Sequence, residues 1–91
     1  MITYTIKVTD MGGLTSRSCA ELVEEANHHS CDVRLKRESG ESCDLKSILN
    51  VFALVAIEPI TPGSSLTIEC EGEDEEEAVK GFDKLCHEYT F

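Results

Sequence analysis

Gly13-Leu14-Thr15-Ser16-Arg17-Ser18-Cys19-Ala20-Glu21-Leu22-Val23 reads as a glycine turn that opens straight into an amphipathic helix. Ser16 and Ser18 are suited to cap the free N–H groups of a helix start. Ser18 with Glu21 also fits the reciprocal capping box. Unpaired N–H donors and the positive end of the helix dipole together favour an anion at this point. Arg17 adds a permanently charged planar fork suited to phosphate or carboxylate. Ser16, Arg17 and Ser18 are therefore the candidate anion-binding residues, yet the stretch holds no nitrogen nucleophile. Onward to Asn27 the spacing predicts a helix with Cys19, Leu22, Val23 and Ala26 on one face and Glu21, Glu24 and Glu25 on the other.

Upstream, Ile2, Tyr4, Ile6 and Val8 alternate with Thr3, Thr5, Lys7 and Thr9, the period of a half-buried strand. Asp10-Met11-Gly12-Gly13 ends it as a turn. Downstream, His28-His29-Ser30 is a polar exit whose histidines are expected to be exposed. Asp32 to Arg37 reads as a second strand with Val33 and Leu35 inward, Glu38 to Glu41 as a hairpin turn, and Ser42 to Leu45 as a short return strand. Ser47 is the natural N-cap of a helix running from Ile48 to about Leu54. That segment is too apolar to bury every side. Ile48, Val51 and Leu54 fit the core, while Leu49 and Phe52 are expected to be exposed, and such a patch marks a partner surface.

Pro59 and Pro62 stiffen a loop, since neither fits inside a helix or a central strand. Ser65 to Glu71 reads as a fourth strand with Leu66, Ile68 and Cys70 on one face. The acidic run Glu73 to Glu77 leads into a last helix with Ala78, Phe82, Leu85, Cys86 and Tyr89 along one stripe. Its carboxylates complement a helix N-terminus, whereas a calcium loop spaces its ligands around a glycine. The order is strand, helix, strand, strand, helix, strand, helix. It predicts an α+β fold: a two-layer open-faced sandwich with a four-stranded antiparallel sheet and three helices on one face.

The 91 residues fit a single domain, residues 1–91. A formal charge of −10 argues against nucleic acid and anionic membrane as partners, because both call for a basic surface. No apolar run approaches the ~20 residues a membrane span needs, and the N-terminal residues lack a signal-peptide pattern, so a cytoplasmic location is expected. Five cysteines, an odd number without tight pairing, suit free thiols packed as small hydrophobes. The sharper alternative is a metal held by Cys86 with His87 or by His28 with His29. Adjacent residues diverge on a helix and there is no C-x-x-C pair, so neither metal nor cofactor is expected.

Both motifs around the helix starts resemble those of the histidine-containing phosphocarrier family, HPr. The family's active-centre motif runs Gly, aliphatic, His, Ala, Arg, Pro, where this chain has Gly13, Leu14, Thr15, Ser16, Arg17, Ser18. Its second signature, Leu-Lys-Ser-Ile-aliphatic-Gly-Val, resembles Leu45-Lys46-Ser47-Ile48-Leu49-Asn50-Val51. Ile6 to Thr9 and Leu66-Thr67-Ile68 also fit, so the resemblance covers nearly the whole chain and implies the same fold.

In that family the active-centre histidine takes phosphate from a phosphoenolpyruvate-dependent enzyme and passes it to sugar-specific proteins. The resemblance puts Thr15 at that position. A hydroxyl is a poor nucleophile without an adjacent base, and a phosphothreonine ester is too stable to hand its phosphate on. The implied protein is not an enzyme, has no catalytic residue here, and is no phosphocarrier through this site. Arg17 falls where the family neutralises phosphate; it either holds an anion or pairs with Glu21 at i, i+4. Ser18 in place of proline removes a helix-starting constraint.

Ser47 matches the family's regulatory serine, the target of an ATP-dependent kinase, where an N-cap phosphate gains charge-assisted hydrogen bonds. The plainer reading is a serine that simply caps a helix. Asn50 replaces a family glycine beside it. The resemblance implies partner docking at Leu14, Lys46, Leu49 and Phe52, with HPr kinase/phosphorylase or a transcriptional regulator as partner; it leaves the oligomeric state open. The first reading is a regulatory or binding protein of the sugar phosphotransferase system family. The alternatives are a working carrier that uses another phosphoacceptor and a purely structural interaction module.

Overall fold

The alternating segments do form strands and the 3.6-period segments helices in the computed structural model, which describes Met1–Phe91. The order is β1 (Ile2–Lys7), α1 (Ser16–Asn27), β2 (Asp32–Arg37), β3 (Ser42–Asp44), α2 (Ile48–Ile57), β4 (Ser65–Glu71) and α3 (Glu75–Glu88). The sheet runs β1-β4-β2-β3 with every neighbour antiparallel. Register sets Ile6 against Leu66, Leu35 against Ile68 and Val33 against Cys70, so the apolar positions share one face. That face packs against Leu22, Ala26, Val51, Leu54, Ala78 and Phe82 from the three helices. Thr3, Thr5, Lys7, Arg34 and Lys36 lie exposed on the other face, which carries no helix.

Three boundaries differ from expectation, each for a local reason. Helix α2 continues past Leu54 to Ile57 because Val55, Ala56 and Ile57 offer no breaker. It stops when Glu58, forced extended by Pro59, takes φ −159° and ψ 137°. Strand β3 ends at Asp44, whose side chain accepts the Lys46 N–H at 3.0 Å and turns the chain toward Ser47. Strand β1 ends at Lys7, although Val8 stays buried and its N–H donates to the Ser64 carbonyl at 2.8 Å.

The acidic run has a more specific role than dipole complementarity. Glu75, Glu76 and Glu77 do occupy the first turn of α3, but Asp74, the residue at its N-cap, gives that helix no side-chain cap. Its carboxylate instead accepts the Ser30 N–H at 2.9 Å and the Cys31 N–H at 2.8 Å, tying α3 to the exit of α1. These hydrogen bonds hold Asp74 below its ordinary value of 3.8. A depressed carboxylate contributes stability that is present above its unfolded pKa and lost as pH falls through the folded one. Asp74→Asn is therefore expected to flatten the acid limb of stability. Urea midpoints measured downward from pH 5 should fall less steeply than in the wild type; parallel curves would exclude the role.

The histidines also divide. His28 is exposed as expected, whereas His29 is half-buried, with Nε2 2.7 Å from Glu25 Oε2. The ring packs 6.4 Å from that of Phe82, which shields it from solvent.

Candidate functional site at the start of α1

Gly13 makes the turn that delivers the chain to α1. Its φ of +71° lies in the left-handed region, and a Cβ there would sit 2.2 Å from the Ile60 carbonyl oxygen. The close approach lets the Leu14 N–H donate to that carbonyl at 3.2 Å. Leu14 follows its backbone inward and is only 8% exposed, so it belongs to the core and not to a docking surface.

The cap of α1 is Thr15, not Ser16 or Ser18. Thr15 is extended at φ −88° and ψ 170°, and its Oγ1 accepts the Ser18 N–H at 3.2 Å. The anticipated reciprocal box is absent, because Ser18 sits inside the helix at 0% exposure. Its hydroxyl lies 3.1 Å from Thr15 Oγ1 and 3.2 Å from the Tyr89 hydroxyl. Tyr89 reaches in from the end of α3 and packs edge-on against Phe91 with ring centroids 4.7 Å apart. Ser18 is therefore spent on internal bonds and does not face a ligand.

Arg17 does not make the Glu21 ion pair that was one of its two expected roles. Its guanidinium carbon lies 5.7 Å from the Tyr89 ring centroid, a cation–π arrangement, in place of an ion pair with Glu21. Ser16 and Arg17 remain exposed on the first turn, where helix geometry leaves their N–H groups without intrahelical partners. Thr15, Ser18 and Tyr89 thus form a chain of three hydroxyls with no imidazole or carboxylate among its bonds. Nothing in it accepts the proton that a nucleophilic hydroxyl must lose.

The start of α2 is the second centre. Ser47 caps it as expected, with Oγ accepting the Asn50 N–H at 3.4 Å, a long bond. Lys46 points away from Ser47: its ammonium donates to the His29 carbonyl at 2.7 Å, while the Asn27 amide holds the Lys46 carbonyl at 3.1 Å. Leu49 is 75% exposed and Phe52 42%. Because α2 runs to Ile57, itself 59% exposed, these two join Ala53, Ala56 and Ile57 in one apolar stripe at i, i+3, i+4, i+7 and i+8. The uninterrupted apolar run up to Glu58-Pro59 was the signal for this longer surface.

Comparison with known proteins covers both centres. The family described as "PTS HPr component phosphorylation site" matches residues 2–88. The HPr-like protein Crh of Bacillus subtilis (strain 168) is 32% identical over 80 residues, 88% of each chain. Phosphocarrier protein HPr of Haemophilus influenzae is 31% identical over 80 residues, again 88% of each chain. Among solved structures, the histidine-containing phosphocarrier protein of a Mycoplasma superposes with a TM-score of 0.82 at 26% identity, covering 96% of this chain and 93% of that one. The family match spans residues 2–88 and the fold superposes along nearly the whole length, and the chain belongs to the HPr family as an HPr-like protein of the phosphotransferase system.

Proposed function

We propose that this chain is a regulatory, non-enzymatic HPr-like protein that does not relay phosphate at the family's active centre. Thr15 stands where a phosphocarrier has its histidine. The observation that carries this reading is the use of the Thr15 oxygen as the cap of α1, bonded to Ser18 and linked to Tyr89, with no base beside it. A phosphoryl group on Thr15 would be a phosphate ester at the N-cap of α1, held by the free N–H groups and the dipole there. That ester would lack the lability that lets a phosphoimidazole pass its phosphate on. Ser16 and Arg17 are the residual anion-binding residues, and Ser18 leaves that set because it is buried.

Phosphorylation of Ser47 is the switch in this reading. An N-cap phosphate there finds unpaired N–H groups and the positive dipole end of α2. A partner docks on the adjacent stripe of Leu49, Phe52, Ala53 and Ile57; an HPr kinase/phosphorylase and a transcriptional regulator are the partner classes that fit. Lys46 sits at the edge of that surface with its charge committed to the end of α1. The location is cytoplasmic, in keeping with a structure in which no helix is long and apolar enough to cross a membrane.

Incubation with phosphoenolpyruvate and the family's phosphoenolpyruvate-dependent enzyme is expected to leave the chain unmodified. An acid-labile phosphate that passes to a sugar-specific acceptor would overturn the reading. With ATP and the family's kinase, mass spectrometry should find one phosphate, on Ser47, and Ser47→Ala should abolish it. A chain left unmodified would remove the switch.

A further inference from the structure

Cys31 and Cys70 form a pair that neither centre above uses. All five thiols are free, and these two are 3% and 0% exposed. The register of β2 on β4 sets Val33 against Cys70 and Asp32 against Glu71. Cys31, two residues before Val33 and in the same inward phase, is the diagonal neighbour of Cys70. Gly72 brings it closer: a Cβ at Gly72 would lie 2.8 Å from Cys31 Cβ, so the bare glycine lets Cys31 press onto the end of β4. Burial first, then the adjoining Cys31 thiol, pushes Cys70 up to about 11. Cys31 lies ahead of the β2 ladder, so closing the remaining gap moves a bend and not a strand.

Access and charge set the chemistry. Cys31 lines an open cavity of about 320 Å³ together with Ser30, Asp32, Glu71, Gly72 and Glu73. Burial first, then the Asp74 carboxylate that faces it, pushes the Cys31 thiol up, and Lys46 is the one cation that offsets them. The mouth itself holds three carboxylates and no base, which repels anions.

We propose that Cys31 and Cys70 are a disulfide-forming pair, oxidised by hydrogen peroxide, a small uncharged oxidant that enters past Cys31. The Cys31 sulfur attacks one peroxide oxygen, the O–O bond breaks, and a water leaves with a sulfenic acid on Cys31. The Cys70 sulfur then attacks the Cys31 sulfur, the S–O bond breaks, and the second water leaves. Two thiols give up two electrons and two protons, and one peroxide becomes two waters. The cross-link ties the start of β2 to β4, away from both centres.

The test treats the reduced protein with hydrogen peroxide, blocks remaining thiols with N-ethylmaleimide and maps peptides after trypsin and a glutamate-specific protease. The second protease cuts at Glu21, Glu24 and Glu25 and so separates Cys19 from Cys31. The expected result is a chain lighter by about 2 Da before blocking, two fewer alkylated thiols, and a peptide joining Cys31 to Cys70. Five alkylated thiols, or a bridge between other cysteines, would overturn the proposal. Cys70→Ala should lose the bridge and carry Cys31 on to sulfinic acid. Should that variant not fold, the wild-type map alone decides. At low salt, uncharged hydroxyethyl disulfide should outpace anionic oxidised glutathione by about tenfold or more in forming the same bridge. Equal rates would overturn the assignment to an uncharged oxidant.

Discussion

Gly13→Ala is expected to destabilise the protein by about 3 kcal/mol, most of it through two separable costs. A non-glycine residue held at φ +71° pays roughly 1–2 kcal/mol for the left-handed conformation. The second cost is steric, because the new Cβ would fall 2.2 Å from the Ile60 carbonyl oxygen, which is backbone and cannot swing aside. Relief means pulling the turn away from Ile60 and giving up the Leu14 hydrogen bond, worth about 1 kcal/mol. Gly40→Ala supplies the control. Gly40 has φ +100° but nothing within 4 Å of an added Cβ, so only the conformational part, about 1–2 kcal/mol, should appear. Urea unfolding of both variants checks the difference. Equal losses would mean that the contact with Ile60 does not fix the entry to α1.

The same turn shows which parts of the structure were legible in the sequence. The bounds of α1, β2 and β4 follow from hydrophobic period and turn residues alone, because neighbours within a few residues decide them. The cap of α1 does not. Thr15, Ser16 and Ser18 all carry a hydroxyl of the right kind, and the choice among them is made by Tyr89, which takes the Ser18 hydroxyl from 71 residues away. Arg17 is decided by the same ring: it turns to Tyr89 in preference to Glu21, four residues along its own helix. Asp74 is a further case, since a run of five acidic residues gives no sign that one of them caps the chain 43 residues earlier. The extra turn of α2 is legible too, since the apolar run meets no breaker before Glu58-Pro59.

These long-range bonds all depend on where α3 lies, and Phe82 is the residue that places it. It is the largest fully buried side chain, at 0% exposure, and it packs against the sheet through the middle of α3 and against the His29 ring. Phe82→Ala is expected to cost about 3–5 kcal/mol, the transfer of a large ring plus the cavity it leaves. A domain of this kind has only about 5–15 kcal/mol in total, so the loss takes a large share of it. Phe82→Leu keeps most of the volume and should cost well under half as much. The two ends of α3 carry Asp74 on the Ser30–Cys31 backbone and Tyr89 on Ser18, so loosening its middle releases both the exit and the entrance of α1. Hydrogen exchange separates the outcomes: amides of Ser18 and Cys31 should lose protection together in Phe82→Ala under native conditions. A loss below about 1 kcal/mol, with both amides still protected, would mean that α1 holds its own ends and that Tyr89 merely rests against a helix already fixed.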